Sequence, residues 1–348
     1  MEPGQYTGKV LTHNTSLKNT KRLWLGLKAA HAQLDLAKLM FFYGDSFENH
    51  QIYELDQATD ILKHPRFDLT RETALYIHGY IERPEVESIH VIVDAYQRNG
   101  EQNIIILNWG ELADGNYLLD AVQNAKQLGP KVASVLIDLF NNGLQRDLFH
   151  LVGHSLGGQL SGMVGRNVIK KSKGTIKLKR ISALDPAFPP FYPAIGTTAI
   201  SKNDADMVDV IHTDAGLYGA PRSTGTVDFW PNSGKTLQPG CPKRDYKLLT
   251  DIGLKDLCSH RRSWRFWAES VAAKDTPTFH SVKSKSWSDF KKHRVDESYI
   301  IQMGLNCPEN ARPGDYYLQT NGDQPYSKGV SGITYEKNEN VVFPTNDS

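Results

Sequence analysis

The sequence is poor in cysteine, nearly balanced in charge and free of long apolar runs, and each shortage excludes something. Three cysteines among 348 residues permit at most one internal disulfide and leave one spare thiol, so a framework of several bridges is excluded and the redox compartment stays open. A formal net charge of +1 supplies no global field to draw in a polyanion, and nucleic acid is not expected as a partner. The longest apolar stretches, such as NIIILNW at 103–109, fall far short of the roughly 20 residues that a bilayer-crossing helix needs. No transmembrane segment is expected. The opening MEPGQYTGKVLTHNTS holds no apolar run like the core of a secretion signal, which fits a cytosolic form or a mature chain without its leader. Sequons at Asn14 and Asn346 lean towards an exported surface. Repeats and low-complexity tracts are missing too.

What is there is ordinary globular material, 39% hydrophobic and 23% charged, enough for one large core or two modest ones. An amphipathic helix is expected over 23–40, then FFYGDSFENH as a turn. From residue 73, β-rich runs alternate with helical patterns: TALYIH at 73–78, NIIILNW at 103–109, LFHLVG at 148–153, IKLKRISALD at 176–185 and MVDVIH at 207–212. Helical stretches at 84–98 and 117–140 are long enough to be crossovers. The fold class is therefore α/β with a mostly parallel sheet. Past residue 213 regularity fades into Gly, Pro, Asn and Ser, and a helix resumes near SHRRSWRFWAESVAA. The organisation expected is an N-terminal extension over 1–40, one α/β domain over 41–330 and a loosely attached tail over 331–348.

HLVGHSLGGQLSG, at 150–162, places Ser155 between Gly153 and Gly157. A strand pattern precedes it. Small residues at Gly158, Ser161, Gly162 and Gly165 let the following helix pack closely behind it, which is the nucleophile-elbow arrangement. A sharp strand-to-helix turn strains the serine backbone, and side chains in place of the flanking glycines would collide with it. The hydroxyl then stands above the sheet edge, where the Leu156 amide can donate to a developing oxyanion. The plainer reading makes Ser155 a helix N-cap.

A nucleophilic serine needs an acid and a base, in the chain order Ser, Asp/Glu, His for this arrangement. Asp185 closes a strand before Pro186 and so faces the same carboxyl edge; Asp209 falls mid-strand, and Asp214 is the weaker alternative. Of the histidines beyond Asp185, His260 in CSHRRSW lies beside Cys258, where a disulfide can pin it. His212 also follows the acid, whereas His154 inside the motif is expected to support the elbow. A second oxyanion donor is expected from the Tyr80 amide in His78-Gly79-Tyr80, which ends the first β run.

With these residues in place the chain resembles the pancreatic-lipase-like family, with the flavour of its insect branch. The matching text is YIHGY at 76–80, NWG at 108–110, HLVGHSLGG at 150–158, ISALDPA at 181–187, VDVIHTD at 208–214, DFWPNSGKTLQPGC at 228–241, CSHRRS at 258–263 and GDYYLQTN at 314–321, in order. The resemblance implies an α/β-hydrolase fold and hydrolysis of acyl-glycerol esters. It places Ser155, Asp185 and His260 as nucleophile, acid and base, and the Tyr80 and Leu156 amides as oxyanion donors. It also pairs Cys241 with Cys258 around a lid and leaves Cys307 without a partner.

Departures from that family are equally specific. Larger members carry a C-terminal β-sandwich, for which no room is expected after GDYYLQTN. Their calcium-holding positions correspond here to Gly196, Ala199, Ser201 and Asp204, where one carboxylate remains, so no calcium site is expected. The lid PKRDYKLLTDIGLKDL at 242–257 offers Tyr246, Leu248, Leu249, Ile252, Leu254 and Leu257 as an apolar face. Its length, like the short loop at 215–226, resembles the phospholipase A1 members more than the triacylglycerol lipases. The yolk-protein branch, which has lost the serine and binds or stores lipid, is the alternative from another class.

Two basic stretches, 170–180 and 283–294, are expected to be solvated, and the second, with Trp287 and Phe290, is also readable as a docking patch for anionic lipid. The expectation overall is an exported serine esterase that needs no cofactor, takes lipid substrate at an interface and has an unassigned oligomeric state.

Overall fold

The computed structural model describes residues 34–242, 257–273 and 278–337. In chain order the strands are β1 (Lys38–Phe42), β2 (His50–Glu54), β3 (Thr73–Ile77), β4 (Asn103–Asn108), β5 (Phe149–His154), β6 (Arg180–Leu184), β7 (Met207–Ile211), β8 (Val227–Pro231), β9 (Phe279–Ser284), β10 (Val295–Met303) and β11 (Gly314–Leu318). The long helices are α1 (Glu87–Asn99), α2 (Val122–Asn141), α3 (Leu156–Lys171) and α4 (Cys258–Ala272). All strands join one sheet in the order β10-β9-β11-β8-β7-β6-β5-β3-β4-β1-β2. The middle, from β11 to β4, is parallel, and antiparallel pairs close both edges. The chain has an α/β-hydrolase-type architecture of a mostly parallel sheet flanked by helices.

Burial on both faces explains why the central strands read as near-continuous apolar runs. Strand alternation sorts their side chains between two cores. Leu75, Ile77, Leu151, Ile181 and Ala183 pack with Leu128, Val132, Leu160 and Val164 of α2 and α3. Ala74, Tyr76, Val152 and Leu184 pack with Ile92 and Val93 of α1 and Trp267 of α4. Among the described residues no helix is long and apolar enough to cross a membrane.

Two expectations change here. Of the helix expected at 23–40, residues up to 33 lie outside the described set, and Lys38–Phe42 is strand β1. The sheet therefore begins ahead of residue 41. Leu39 and Phe41 face one core while Met40 and Phe42 face the other, a period of two that a helix reading of KLMFF cannot accommodate. The expected turn follows, joining β1 to β2 as a hairpin.

The chain beyond α4 is also not irregular. It supplies β9, β10 and β11, and Arg180 of β6 locks it down by donating to the carbonyls of Gly304 (2.8 Å) and Leu305 (2.7 Å). β10 escapes a pattern search because it is partly exposed and carries a register shift between Asp296 and Ile300, and β9 and β11 because their short runs mix polar with apolar residues. In the first basic stretch Lys177 and Lys179 are partly exposed ion-pair partners of Asp206 and Glu309, while Arg180 is buried in the sheet. Trp287, itself partly buried, stacks on Phe290, which is 1% exposed and near Tyr317, so Phe290 belongs to a small core.

A buried network beneath the sheet gives a pH prediction. His150 Nε2 lies 2.8 Å from Ser182 Oγ, whose hydroxyl donates to Asp209 (2.7 Å). Burial, helped by the Arg180 charge, holds the His150 pKa well below its ordinary value. In the unfolded chain the same imidazole takes a proton near pH 6.5. Between the two values the unfolded state binds more protons, so stability rises with pH through that window and falls on acidification. The urea midpoint is expected to drop from pH 7 to pH 5, and to drop less in His150→Gln.

Candidate active site

Ser155 stands where β5 ends and α3 begins, at φ 55° and ψ −120°, a conformation that costs a residue with a β-carbon. Its surroundings dictate the flanking glycines. A β-carbon on Gly157 would lie 2.1 Å from the Ile77 carbonyl oxygen, and one on Gly153 would lie 2.4 Å from the Gly157 oxygen. The Ser155 N–H donates to Leu184 O (3.0 Å), and its carbonyl accepts from Ala187 N (3.0 Å). The elbow is thus clamped to the exit of the neighbouring strand β6.

Asp185 leaves β6 directly, at φ 45°, one strand over from Ser155 because His154 registers with Leu184. It is fully buried. Its Oδ1 accepts the N–H groups of Thr213 (2.9 Å) and Asp214 (3.1 Å). Its Oδ2 lies 2.6 Å from His260 Nδ1. Gly219 closes the other side: a β-carbon there would meet Asp185 Oδ1 at 2.2 Å. Asp214, the alternative acid, therefore contributes its backbone to Asp185, and the carboxylate that holds the imidazole is Asp185. Asp209 serves Arg180 instead.

His260 lies in the first turn of α4, which opens at Cys258. Cys258 is bridged to Cys241. The Ser259 hydroxyl accepts from Gln238 N (3.0 Å), and Arg262 donates to Pro239 O (3.0 Å) and Gly322 O (2.7 Å). These ties root the imidazole at the base of the expected lid. Of that lid, Tyr246, Leu248, Leu249, Ile252 and Leu254 lie outside the described residues. Cys307 is a free thiol, buried and pushed up to about 12 by desolvation, which leaves it inert at neutral pH.

The turn carrying Tyr80 passes over the serine, since a β-carbon on Gly79 would stand 3.0 Å from Ser155 Cβ. Tyr80 turns its own ring outward against Tyr117 (5.0 Å) and donates its hydroxyl to Gly115 O (2.6 Å). Leu156 is the first residue of α3, where amides have no acceptor within the helix.

Glu82, Asp228 and Gly219 have no role in the sequence reading, which names His212 as a histidine beyond the acid and His154 as a support of the elbow. His212 is no free base: it pairs with Asp228 (2.8 Å) and stacks on Trp230 at 3.8 Å, which fixes the strand end that delivers the Thr213 and Asp214 amides. His154 carries Glu82 on its Nδ1 at 3.1 Å and lies 4.8 Å, ring to ring, from His260. Glu82, three residues past Gly79, was within reach of a search for acids near the oxyanion turn. Nothing in the sequence around Gly219 marks it as the wall behind Asp185.

The positions that correspond to a calcium site in the larger family members do not fit one here. The Arg166 guanidinium donates to Thr198 O (3.1 Å), Ala199 O (2.6 Å) and both Asp204 oxygens (3.2 and 2.8 Å). The single carboxylate and a carbonyl that a cation would need are already committed to it, whereas calcium takes six to eight oxygens. Among the described residues no group of three or more His, Cys, Asp or Glu is placed to hold a metal ion. Chelation by EDTA is expected to leave the melting temperature unchanged. Arg166→Met, which strands the buried Asp204 carboxylate, is expected to cost about 3 kcal/mol in urea unfolding.

Sheet order, a strained serine at a strand-to-helix turn and a buried pair of an acid after the neighbouring strand and an imidazole from the first turn of α4 define this chain as an α/β-hydrolase-fold protein. The sequence profile of the Lipase family matches residues 8–326, and the chain belongs to that family. It is 30% identical over 296 residues to "Pancreatic triacylglycerol lipase" of Mus musculus, covering 80% of this chain and 60% of that one. Against "Pancreatic lipase-related protein 2" of Myocastor coypus the figures are 32% over 263 residues, with 70% and 53% covered. "Inactive pancreatic lipase-related protein 1" of Homo sapiens is 30% identical, with 79% and 58% covered. The chain thus spans 53 to 60% of the length of these relatives. The solved structure of esterase PE8 aligns over 43% of this chain and 72% of that one, at 18% identity and a TM-score of 0.30.

Proposed function

We propose that this protein hydrolyses the carboxylic esters of acyl-glycerol lipids, of the triacylglycerol lipase or phospholipase A1 type, through a serine acyl-enzyme. The observation that carries the reading is the 2.6 Å contact between His260 Nδ1 and the buried Asp185 Oδ2, beside the strained Ser155. In this mechanism Asp185 keeps the proton on Nδ1, so that Nε2 is the base that takes the Ser155 hydroxyl proton as the oxygen attacks the ester carbonyl. The Tyr80 and Leu156 amides receive the oxyanion. His260 returns the proton to the leaving alcohol, and water cleaves the acyl-enzyme by the same steps in reverse. No cofactor enters the scheme.

Substrate presented at a lipid interface is supported by the rim of the site. Tyr117 donates to Pro189 O (2.7 Å) and Lys126 to Gly196 O (3.0 Å). Ile81, Leu118, Leu119, Ile195 and Leu217, all 42 to 74% exposed, lie in segments that follow the carboxyl ends of β3, β4, β6 and β7, the same edge that holds Ser155. Apolar side chains so placed favour contact with an acyl-chain surface. Export is supported by the Cys241–Cys258 bridge. The test is fatty-acid release from a triacylglycerol emulsion and from phosphatidylcholine vesicles, with Ser155→Ala as control. Release lost in the variant is the expected result, and the preferred lipid assigns the class. A folded protein that releases acid from neither is a lipid-binding or storage protein.

A further inference from the structure

The site contains a second carboxylate–imidazole pair that the proposed mechanism does not use. Glu82 Oε2 accepts the Gly79 N–H at 2.6 Å and faces His154 Nδ1 at 3.1 Å, while its Oε1 accepts from Ser88 Oγ at 2.7 Å. One carboxylate therefore binds three elements together: the turn after β3, the last residue of β5 before the nucleophile, and the first turn of α1. Its side chain is 14% exposed and that of His154 is 4%. Burial disfavours the charged form, but His154 and the Gly79 N–H more than offset it and hold the Glu82 carboxyl far below the usual range.

Gly79 is where this matters. A β-carbon at Gly79 would meet Ser155 Cβ at 3.0 Å, Glu82 Oε2 at 3.1 Å and His154 Nδ1 at 3.3 Å. The turn is wedged between the nucleophile on one side and the Glu82–His154 pair on the other. The next amide in the chain is that of Tyr80, one of the two oxyanion donors. An oxyanion donor works only when it is aimed in advance at the position the negative oxygen will occupy. Two local contacts hold the carbonyl side of the turn, with His78 Nδ1 at 3.0 Å and the Glu82 N–H at 3.4 Å from Gly79 O, and the Glu82 carboxylate supplies the bond on the Gly79 N–H side.

We propose that Glu82 is the positioning residue of the oxyanion turn, holding the Gly79 peptide against Ser155 with His154 as its fixed backstop and Ser88 as its anchor. This rests on the hydrolase reading above. His154 takes no proton from Ser155 in this scheme, because His260 is the imidazole held by Asp185. Glu82 acts by geometry rather than by charge, which separates its variants. In Glu82→Gln the carboxamide oxygen can accept from both Gly79 and His154, and the Ser88 hydroxyl can turn to accept from the amide N–H. Glu82→Ala removes every acceptor.

The experiment is steady-state hydrolysis of a soluble ester, p-nitrophenyl butyrate, with active sites titrated by a fluorophosphonate and folding checked by circular dichroism. Inhibition by an alkyl boronic acid, whose tetrahedral anion needs the oxyanion donors, is measured on the same samples. Glu82→Ala is expected to lose about 10²-fold in kcat with KM little changed, and boronate affinity is expected to fall in parallel. Glu82→Gln is expected to recover most of that loss. Should Glu82→Ala not fold, Glu82→Met, which fills the space without an acceptor, carries the same expectation. Positioning is overturned if the acceptor-free variant keeps its kcat, if boronate affinity does not fall with kcat, or if Glu82→Gln is as impaired as Glu82→Ala. A wild-type protein that neither turns over ester nor labels at Ser155 instead overturns the hydrolase reading, and this proposal with it.

Discussion

Ser155→Ala and His260→Ala are each expected to lower kcat for lipid ester hydrolysis by about 10⁶-fold, and the double variant by no more than either alone. The reason lies in how little the two side chains can do separately. A serine hydroxyl is a poor nucleophile until a base removes its proton, and the imidazole has no covalent step without the hydroxyl. The packing says that neither variant should unfold. Ser155 and His260 are held by backbone bonds, Ser155 N to Leu184 O and the His260 carbonyl to Ser263 Oγ (2.9 Å), which alanine leaves in place. Ser155→Ala also removes no more than one oxygen from a 9% exposed site. For Ser155→Ala an unchanged melting temperature with lost turnover is the expected pair of measurements, whereas His260→Ala, which leaves the buried Asp185 Oδ2 without its imidazole, is expected to melt lower. A variant that retains substantial release places the nucleophile elsewhere.

Asp185→Asn is expected to cost about 10⁴-fold in kcat with the fold retained. The asparagine fits the same space, but one of its two terminal atoms becomes an N–H donor. Asp185 is surrounded by donors alone: the Thr213 and Asp214 amides on Oδ1 and the His260 ring on Oδ2. If the amide oxygen keeps the two backbone N–H groups, the NH₂ faces His260 Nδ1 and turns the imidazole to the tautomer whose Nε2 carries a proton, which cannot act as base. The alternative flip sets the NH₂ against two buried N–H groups, which costs their desolvation. Asp214→Asn leaves the Asp214 N–H and Asp185 itself in place and is expected to cost far less. Single-turnover kinetics on p-nitrophenyl butyrate compare the two. Equal losses from both variants would mean that the acid role is shared.

Much of this was legible before any coordinates, and for physical reasons that can be located. Five parallel strands announce themselves because helices cover both faces, so each is buried along its length and mostly apolar. The elbow announces itself because its steric demands fall on adjacent residues: Gly153 and Gly157 must be bare because of backbone within a few ångströms. What escaped was half-buried or non-local. Strand β1 was hidden in a helix-like run, β8 in a stretch rich in Gly, Pro and Ser, and β9 to β11 in short runs that mix polar with apolar residues, with β10 at the sheet edge. Glu82 acts through His154 72 positions away in the chain, Asp228 through His212 16 positions away, and Gly219 against Asp185, which follows a different strand.

By itself, the sequence determined the α/β class, the strand-to-helix turn at Ser155 and the short set of acids and histidines able to serve it, because periodicity and glycine spacing are properties of neighbouring residues. Only the tertiary structure decided that Asp185 rather than Asp214 meets His260, that Arg166 takes up the carbonyl and carboxylate a cation would need, and that Glu82 bonds the turn over Ser155. Those outcomes depend on which side chains the closed sheet brings within hydrogen-bond reach. That distance is set by the packing of the whole core and by no local pattern.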